Sequence, residues 1–103
     1  ILMKAEAKVR NGEDGTEELN AIRSRVGMPA RPATLKTILD ERLMELMWEG
    51  WRRNDLIRFG LFNQAYDQRT PVDNEATGFT TVFPIPTNAI EHNKNLTQNK
   101  GYK

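Results

Sequence analysis

Apolar side chains recur every three or four residues through the first half of the chain, and this spacing predicts amphipathic helices. The first predicted helix covers about residues 1–10 and ends before Gly12, a residue type that commonly stops a helix. The second covers about residues 16–26, and Asp14 or Thr16 is expected to cap it. The short connection between the two helices indicates a helical hairpin.

The third predicted helix is the longest and covers about residues 35–59. Thr34 is its expected cap and Gly60 its expected stop. The loop before it carries Pro29 and Pro32, which are incompatible with a helix interior. Its apolar stripe consists of Leu35, Ile38, Leu39, Leu43, Leu46 and Met47. We therefore expect a central helix that packs through this stripe on its neighbours.

From about residue 67 to residue 103 the chain is predicted to be irregular. Pro84 and Pro86 favour extended backbone, and the tail HNKNLTQNKGYK is rich in Asn. The first and third helices start 34 residues apart, which is the period of tetratricopeptide repeats. The predicted fold class is mainly α, with helical hairpins of the tetratricopeptide-like type and an irregular, loop-rich C-terminal third.

The amino-acid composition limits the classes of function that are expected for this chain. The chain has 103 residues, of which 38% are hydrophobic and 28% charged, and these values suit one globular domain. The net charge is +1, whereas dedicated nucleic-acid binders usually carry a marked basic excess. The absence of cysteine excludes disulfides and thiolate metal sites. We expect no nucleic-acid partner and no cofactor.

The first residues, ILMKAEAKVRNG, are already in helical rhythm, with no capping residue before Ile1. A helix start normally follows Ser, Thr, Asp or Asn, so we expect the chain to be a piece of a longer protein. No apolar run approaches the roughly 20 residues of a membrane-spanning helix, and no signal peptide is visible.

The stretch LMWEGWRRNDLIRFG concentrates charges and aromatic rings near the end of the third predicted helix. On a helix, Glu49 lies within reach of Arg52 and Arg53, and Asp55 within reach of Arg52 and Arg58. Opposite charges at these spacings attract by about 0.2–0.5 kcal/mol for each exposed pair. Because the arginines have carboxylate partners, the predicted role of Glu49, Arg52, Asp55 and Arg58 is a structural network and not phosphate binding.

Gly50 interrupts this charged stretch and costs about 1 kcal/mol relative to Ala in a helix. The preferred explanation is that a neighbouring backbone or ring passes close to Gly50, so that Gly50→Leu would clash. Trp48 and Trp51 lie beside Met47 and Leu46 and are predicted to be mostly buried. Stacking of the two indoles on sugar rings is the weaker alternative, which makes Trp48 and Trp51 weak candidates for ligand binding.

No catalytic or metal-binding residue is assigned. Glu41, Glu45 and Glu49 recur every four residues, but a di-metal bundle would need a Glu-x-x-His partner, which is absent. A glycosidase needs two carboxyl groups on opposite sides of a sugar, and one helix face does not provide them. His92 is the only histidine and lies in a polar tail, where a solvated side chain is expected.

Three stretches together resemble the C-terminal part of the SusD/RagB family of nutrient-uptake proteins. LNAIRSRVGMP resembles the family's L-N-x-I/V-R-x-R-A-G-L, with Val26 where Ala is usual. FPIPTNAIEHNKNLTQNKGY resembles F-P-I-P-x-x-E-I…N-P-N-L-x-Q-N-P-G-Y, with Lys94 and Lys100 in place of prolines. The elements E-R-x-x-E-L, E-G-x-R and D-L-x-R correspond to Glu41, Arg42, Glu45 and Leu46, to Glu49, Gly50 and Arg52, and to Asp55, Leu56 and Arg58.

The resemblance implies a lipid-anchored outer-membrane protein of Bacteroidetes-type bacteria with an α-helical, tetratricopeptide-like fold. Such proteins bind glycans or other nutrients at the cell surface and pass them to a TonB-dependent, SusC-like transporter. They are not enzymes. Their lipid anchor would lie N-terminal to this segment, and their ligand-contacting aromatic residues come mostly from other regions. The matched charged residues have a structural role in the family.

Two other functions remain open. One is a helical-hairpin module that binds protein partners, and the other is a small carbohydrate-active enzyme. A lipoprotein signal and a neighbouring transporter gene would favour the nutrient receptor over the interaction module, and measured hydrolysis would favour the enzyme.

Overall fold

The computed structural model describes residues 1–66 and 68–102 of the chain. It has five α-helices in the order α1 Leu2–Arg10, α2 Thr16–Arg25, α3 Leu35–Glu45, α4 Arg52–Arg58 and α5 Thr87–His92. Two 3₁₀ turns, Glu75–Thr77 and Phe79–Thr81, precede α5. No strand forms within the described ranges, where the pairing of Tyr66 with Arg69 is an isolated bridge. The mainly α fold class is confirmed, and the tetratricopeptide-like pairing remains a prediction.

The described chain divides into two compact units. The N-terminal unit covers Ile1–Arg52 and the C-terminal unit covers Arg53–Lys103. No helix in the described residues is both long enough and apolar enough to cross a membrane.

The core of the N-terminal unit lies where α1 meets α2 and α3. Leu2, Ala5, Leu19 and Ile38 are buried there, each contributing one apolar side chain to the same cluster. Burying a side chain such as Leu or Ile stabilises a fold by roughly 1.5–3 kcal/mol. The three-and-four spacing of the apolar residues therefore produces the packing that it predicted for these helices.

The start of α3 follows from its capping residues. The Thr34 hydroxyl accepts a hydrogen bond from the Thr37 N–H at 3.1 Å, and the Thr37 hydroxyl accepts one from the Thr34 N–H at 2.8 Å. This reciprocal capping box satisfies two backbone donors, and the predicted cap at Thr34 is confirmed. At the start of α2, the Asp14 carboxylate accepts a hydrogen bond from the Thr16 N–H at 2.9 Å.

Two ion pairs, one of them buried, join α2 to α3. Arg23 is 1% exposed; it pairs with Glu41 and donates a hydrogen bond to the Pro29 carbonyl at 2.7 Å. A more exposed pair joins Arg25 to Glu45 at 2.5 Å. Removing one partner of a buried pair leaves an uncompensated charge, which typically costs about 3–5 kcal/mol. These carboxylates therefore lock helices together.

The C-terminal unit is held by hydrogen bonds to a buried carboxylate. Glu75 is 1% exposed, pairs with Arg69 and accepts hydrogen bonds from the Val72 N–H and the Thr80 hydroxyl, both at 2.8 Å. Burial opposes ionisation of this group, but the bonds from Thr80, Arg69 and Val72 prevail and lower the pKa of Glu75. The loop around Glu75 is thus organised without a large apolar core.

The predicted helix over residues 35–59 is wrong as a continuous element. Helix α3 ends at Glu45, turns occupy residues 46–50, and α4 begins at Arg52. Trp48 has φ +68° and Gly50 has φ +77°, and both values lie in the left-handed region. Because a right-handed helix cannot pass through such residues, its hydrogen-bond ladder ends before them.

Candidate functional site

The break between α3 and α4 forms an exposed turn that carries both tryptophans, and we call residues 46–51 the aromatic turn. Trp48 is 98% exposed and Trp51 is 48% exposed. The prediction that both indoles are mostly buried is therefore wrong for this chain. The helical spacing behind that prediction does not apply, because the backbone is not helical there. Met47, which is also in the turn, is exposed as well.

Gly50 has a different role from the predicted one. A Cβ atom built on Gly50 would meet no atom within 4 Å, so no neighbouring backbone or ring passes close to it. The prediction that Gly50→Leu would clash with a neighbour is therefore wrong. Its φ of +77° explains the glycine instead, because residues with a Cβ rarely adopt that conformation.

Trp48 adopts the same left-handed region without being a glycine. A positive φ is uncommon for non-glycine residues and is a genuine outlier for a bulky one. Such outliers cost on the order of 1–3 kcal/mol and concentrate at functional sites. The result at position 48 is a large indole that projects almost entirely into solvent.

The predicted charge network forms only in part. Arg58 donates to the Asp55 carboxylate at 2.7 Å, so that predicted pair is confirmed. Arg52 instead donates to the Leu39 carbonyl at 3.3 Å, and its Nε is buried without a hydrogen-bond partner among the described residues. The Glu49 side chain is exposed and pairs with no residue that the structure describes. Glu49 precedes α4, so the helical spacing that would bring it to Arg52 is lost.

Arg53 binds aromatic rings and carbonyl oxygens in place of the predicted carboxylate. Its guanidinium carbon lies 5.0 Å from the centre of the Phe62 ring and 4.2 Å from that of the Phe83 ring. The same group donates to the carbonyls of Thr80 and Thr81, each at 3.0 Å. Cation–π contacts of this kind contribute about 0.5–1 kcal/mol at exposed sites. Sequence spacing gave no signal for them, because these residues are far apart in the chain.

A cleft of about 360 Å³ lies in the N-terminal unit and reaches the aromatic turn. Trp51 and Leu46 line one part of it, and the rest of its wall comes from α1, α2 and α3. The polar groups at its edge are Arg42, which is buried, and Glu45, which pairs with Arg25. The remaining lining residues are Ile1, Leu2, Met3 and Ile22. The cleft therefore offers a mostly apolar surface with a charged edge beside an indole ring.

A second and larger cavity, of about 580 Å³, lies in the C-terminal unit. Its walls come from residues 73–82 and residues 99–101, and most of its lining side chains are polar. The sequence predicted this region to be irregular and assigned no site to it. No local motif marks the cavity, because it forms only when the tail folds back on the loop around Glu75.

The acidic residues and the histidine considered as candidates for catalysis or metal binding do not come together in one site. Glu41 and Glu45 pair with arginines of α2, and the Nδ1 atom of His92 lies 2.7 Å from the Asn88 carbonyl oxygen. Among the residues that the structure describes, no group of three or more His, Cys, Asp or Glu side chains is arranged to hold a metal ion.

Comparison with known proteins identifies the family of this chain. The model of the SusD family matches residues 1–102, so this helical chain belongs to the SusD family. Starch-binding protein SusD of Bacteroides thetaiotaomicron is 35% identical to it over 109 residues. That alignment covers 99% of this chain and 20% of the relative. The chain therefore spans about a fifth of the length of that curated relative.

Proposed function

We propose that this chain is the C-terminal segment of a glycan-binding protein of the outer-membrane surface. The observation that carries the proposal is membership of the SusD family along nearly the whole chain, together with the likeness to a starch-binding relative. The segment contributes a helical scaffold, the aromatic turn and the cleft beside it. Its role is to bind the ligand or support its binding, and not to catalyse a reaction.

The binding step has a downstream partner in this proposal. The full-length protein passes its glycan to a TonB-dependent, SusC-like transporter, and it is held at the membrane by an N-terminal lipid anchor outside this segment. Neither nucleic acid nor a cofactor takes part. Family membership supports these statements, and loss of glycan uptake on deletion of the gene is the expected cellular result.

Within this segment, Trp48 and Trp51 are the proposed ligand contacts. An exposed indole presents a flat apolar face that can lie against the C–H groups of a sugar ring, while its N–H remains available to a hydroxyl. Trp48 is almost fully exposed, and Trp51 borders the cleft. The left-handed backbone at Trp48 holds that indole out in solvent, which agrees with a functional cause for the strain.

Isothermal titration of the full-length protein with maltoheptaose and other neutral oligosaccharides tests these contacts. We expect Trp48→Ala and Trp51→Ala each to weaken binding by about tenfold, because an aromatic contact of about 1.4 kcal/mol corresponds to that factor. Trp48→Phe, which keeps an aromatic face, should retain most of the affinity. Val26→Ala removes a similarly exposed apolar side chain away from the turn and is the matched control. Unchanged affinity in both alanine variants would exclude the tryptophans as ligand contacts.

A second candidate function is a helical module that binds another protein. The observation that favours it is the set of exposed apolar residues in and near the aromatic turn, since contiguous exposed apolar surface marks interaction sites. Met44 is 46% exposed and Met47 is 59% exposed, and both lie within four residues of Trp48 in the chain. Quenching of the indoles by iodide separates the two functions. Protection by the purified transporter, without protection by any glycan, would favour protein binding.

A further inference from the structure

The cavity of the C-terminal unit has the size of a small-molecule site. Its volume of about 580 Å³ falls within the range of roughly 300 to 1,000 Å³ that ligand pockets occupy. It lies wholly in the C-terminal unit, whereas the aromatic turn belongs to the N-terminal one. The contacts proposed for Trp48 and Trp51 therefore leave this cavity unexplained.

Hydrogen bonds to Glu75 stabilise the first wall of the cavity, residues 73–82. The buried Glu75 carboxylate accepts hydrogen bonds from the Val72 N–H and the Thr80 hydroxyl, which lie on either side of it in the chain. Asn74 adopts φ +63° in this wall, a conformation that Asn tolerates better than most residues do. The wall is therefore held in one shape before any ligand arrives, which lowers the cost of binding.

The second wall, residues 99–101, is fastened to the first by the chain end. The Tyr102 hydroxyl donates to the Val82 carbonyl at 2.7 Å, and the Asn99 amide donates to the Phe83 carbonyl at 2.7 Å. Gly101 lies directly against Phe79, because a Cβ on Gly101 would come within 2.5 Å of the Phe79 Cβ. The two walls thus meet at a tight contact that only glycine allows.

The cavity carries one acidic and one basic side chain that are open to a ligand. Asp73 and Lys100 both line it and are exposed. Neither forms an ion pair or a side-chain hydrogen bond with any residue in the described part of the chain. Their charges cancel, so the cavity has no net preference for an ionic ligand. Val82 and the half-buried Phe79 add an apolar surface beside them.

We propose that this cavity binds one hexose unit of a neutral glycan, as a subsite separate from the aromatic turn. A sugar ring presents hydroxyl groups around its edge and C–H groups on its faces. Asp73 accepts hydrogen bonds from the hydroxyls, Lys100 donates to them, and Phe79 and Val82 contact one face. The proposal rests on the proposed function, because it assigns the same class of ligand, a neutral glycan, to a second site in the chain.

Titration of the full-length protein with maltoheptaose and a panel of other neutral hexose oligosaccharides tests the subsite. Asp73→Asn keeps the size of the side chain and removes its charge, and Lys100→Gln removes the charge and leaves a shorter polar side chain. Each should weaken binding by about tenfold, since hydrogen bonds to charged groups are the strong ones. Glu91→Gln and Lys94→Gln make the same changes at exposed positions of the same unit that do not line the cavity, and they should leave binding unchanged. Unfolding midpoints equal to that of the parent protein confirm that the variants are folded.

The outcomes separate the subsite from the function on which it rests. If the protein binds a glycan and all four variants bind it equally well, the subsite is refuted and the proposed function stands. If no glycan in the panel binds, both fail. Affinity should change less than about twofold between about 50 and 500 mM NaCl, because a neutral ligand is little affected by screening. A steep fall in affinity with salt would show that binding of these neutral sugars depends on something other than direct hydrogen bonds in the cavity, and it would overturn the subsite.

Discussion

At the scale of single residues, backbone conformation explains two positions that side-chain pattern explains poorly. Gly50 and Trp48 both lie in the left-handed region, with one residue between them. A glycine in that region is ordinary, and a tryptophan is not. Together they end one helix before the next begins. They also direct the Trp48 indole toward solvent, although its spacing in the sequence favours a buried position.

Substitution of Gly50 distinguishes this explanation from close packing. We expect Gly50→Ala to destabilise the protein by about 1–2 kcal/mol, the cost of a left-handed conformation for a residue with a Cβ. Gly50→Leu should cost a similar amount, because nothing lies within 4 Å of the added Cβ. Gly50→Asn should cost less than either, since Asn tolerates this region. Urea unfolding with linear extrapolation measures all three.

The order of the three variants decides the question at Gly50. If Leu is much worse than Ala, the glycine is needed for space, and the open surroundings described above are wrong. If Asn is as costly as Ala, the left-handed conformation is not the cause.

At the scale of helices, the sequence predicts correctly those features that depend on residues close together in the chain. The cap at Thr34 and the bounds of α1 and α2 follow from capping chemistry and apolar spacing within about three turns of helix, and the structure has them close to where they were expected. The break after Glu45 was missed, because the apolar and charged spacing continues through Trp48 to Arg58 as if the helix did. Gly50 is the local signal of the break, because a glycine inside a helical pattern also marks a left-handed turn.

The candidate site was less predictable from sequence than the helices. Exposure of Trp48 and the partners of Arg53 depend on which segments meet in space, and spacing along one helix does not contain that information. The same is true of the cavity between residues 73–82 and 99–101. By contrast, the Asp55–Arg58 pair lies within one helix, and it was predicted correctly.

The close approach of α1 to the start of α2 can be tested at Gly15. A Cβ on Gly15 would lie 2.7 Å from the Ala5 carbonyl oxygen, which belongs to backbone and cannot move aside cheaply. We expect Gly15→Ala to destabilise the protein by about 1–3 kcal/mol through overpacking. Gly15→Ser serves as the control for capping, because Ser is favoured at a helix N-cap but carries the same Cβ. A fully stable Ser variant in thermal unfolding would show that the added Cβ fits and that space does not constrain Gly15.

At the scale of the whole chain, each of the two units carries a buried carboxylate that favours its ionised form. Glu75 in the C-terminal unit is described above. In the N-terminal unit, hydrogen bonds from Lys4 and Lys8 lower the pKa of Glu18 from 4.5 to about 2. The ammonium groups lie 2.8 and 2.7 Å from the carboxylate oxygen, which joins α1 to α2. Both units are therefore expected to lose stability in acid, because folding favours the charged state of each group.

The pH dependence of unfolding tests this link at Glu18. Since the folded pKa is below the ordinary value, the stabilising effect of Glu18 is complete above about pH 4.5 and is lost as the pH falls toward about 2. The Glu18→Gln variant cannot ionise at this position, so its unfolding free energy should be lower than that of the parent protein at pH 7 and should converge with it near pH 2. Glu17→Gln removes a neighbouring carboxylate that forms no ion pair with any residue the structure describes, and its curve should stay parallel to that of the parent protein. A parallel curve for Glu18→Gln as well would mean that Lys4 and Lys8 do not stabilise the ionised carboxylate, and the link between α1 and α2 would then depend on their apolar contact alone.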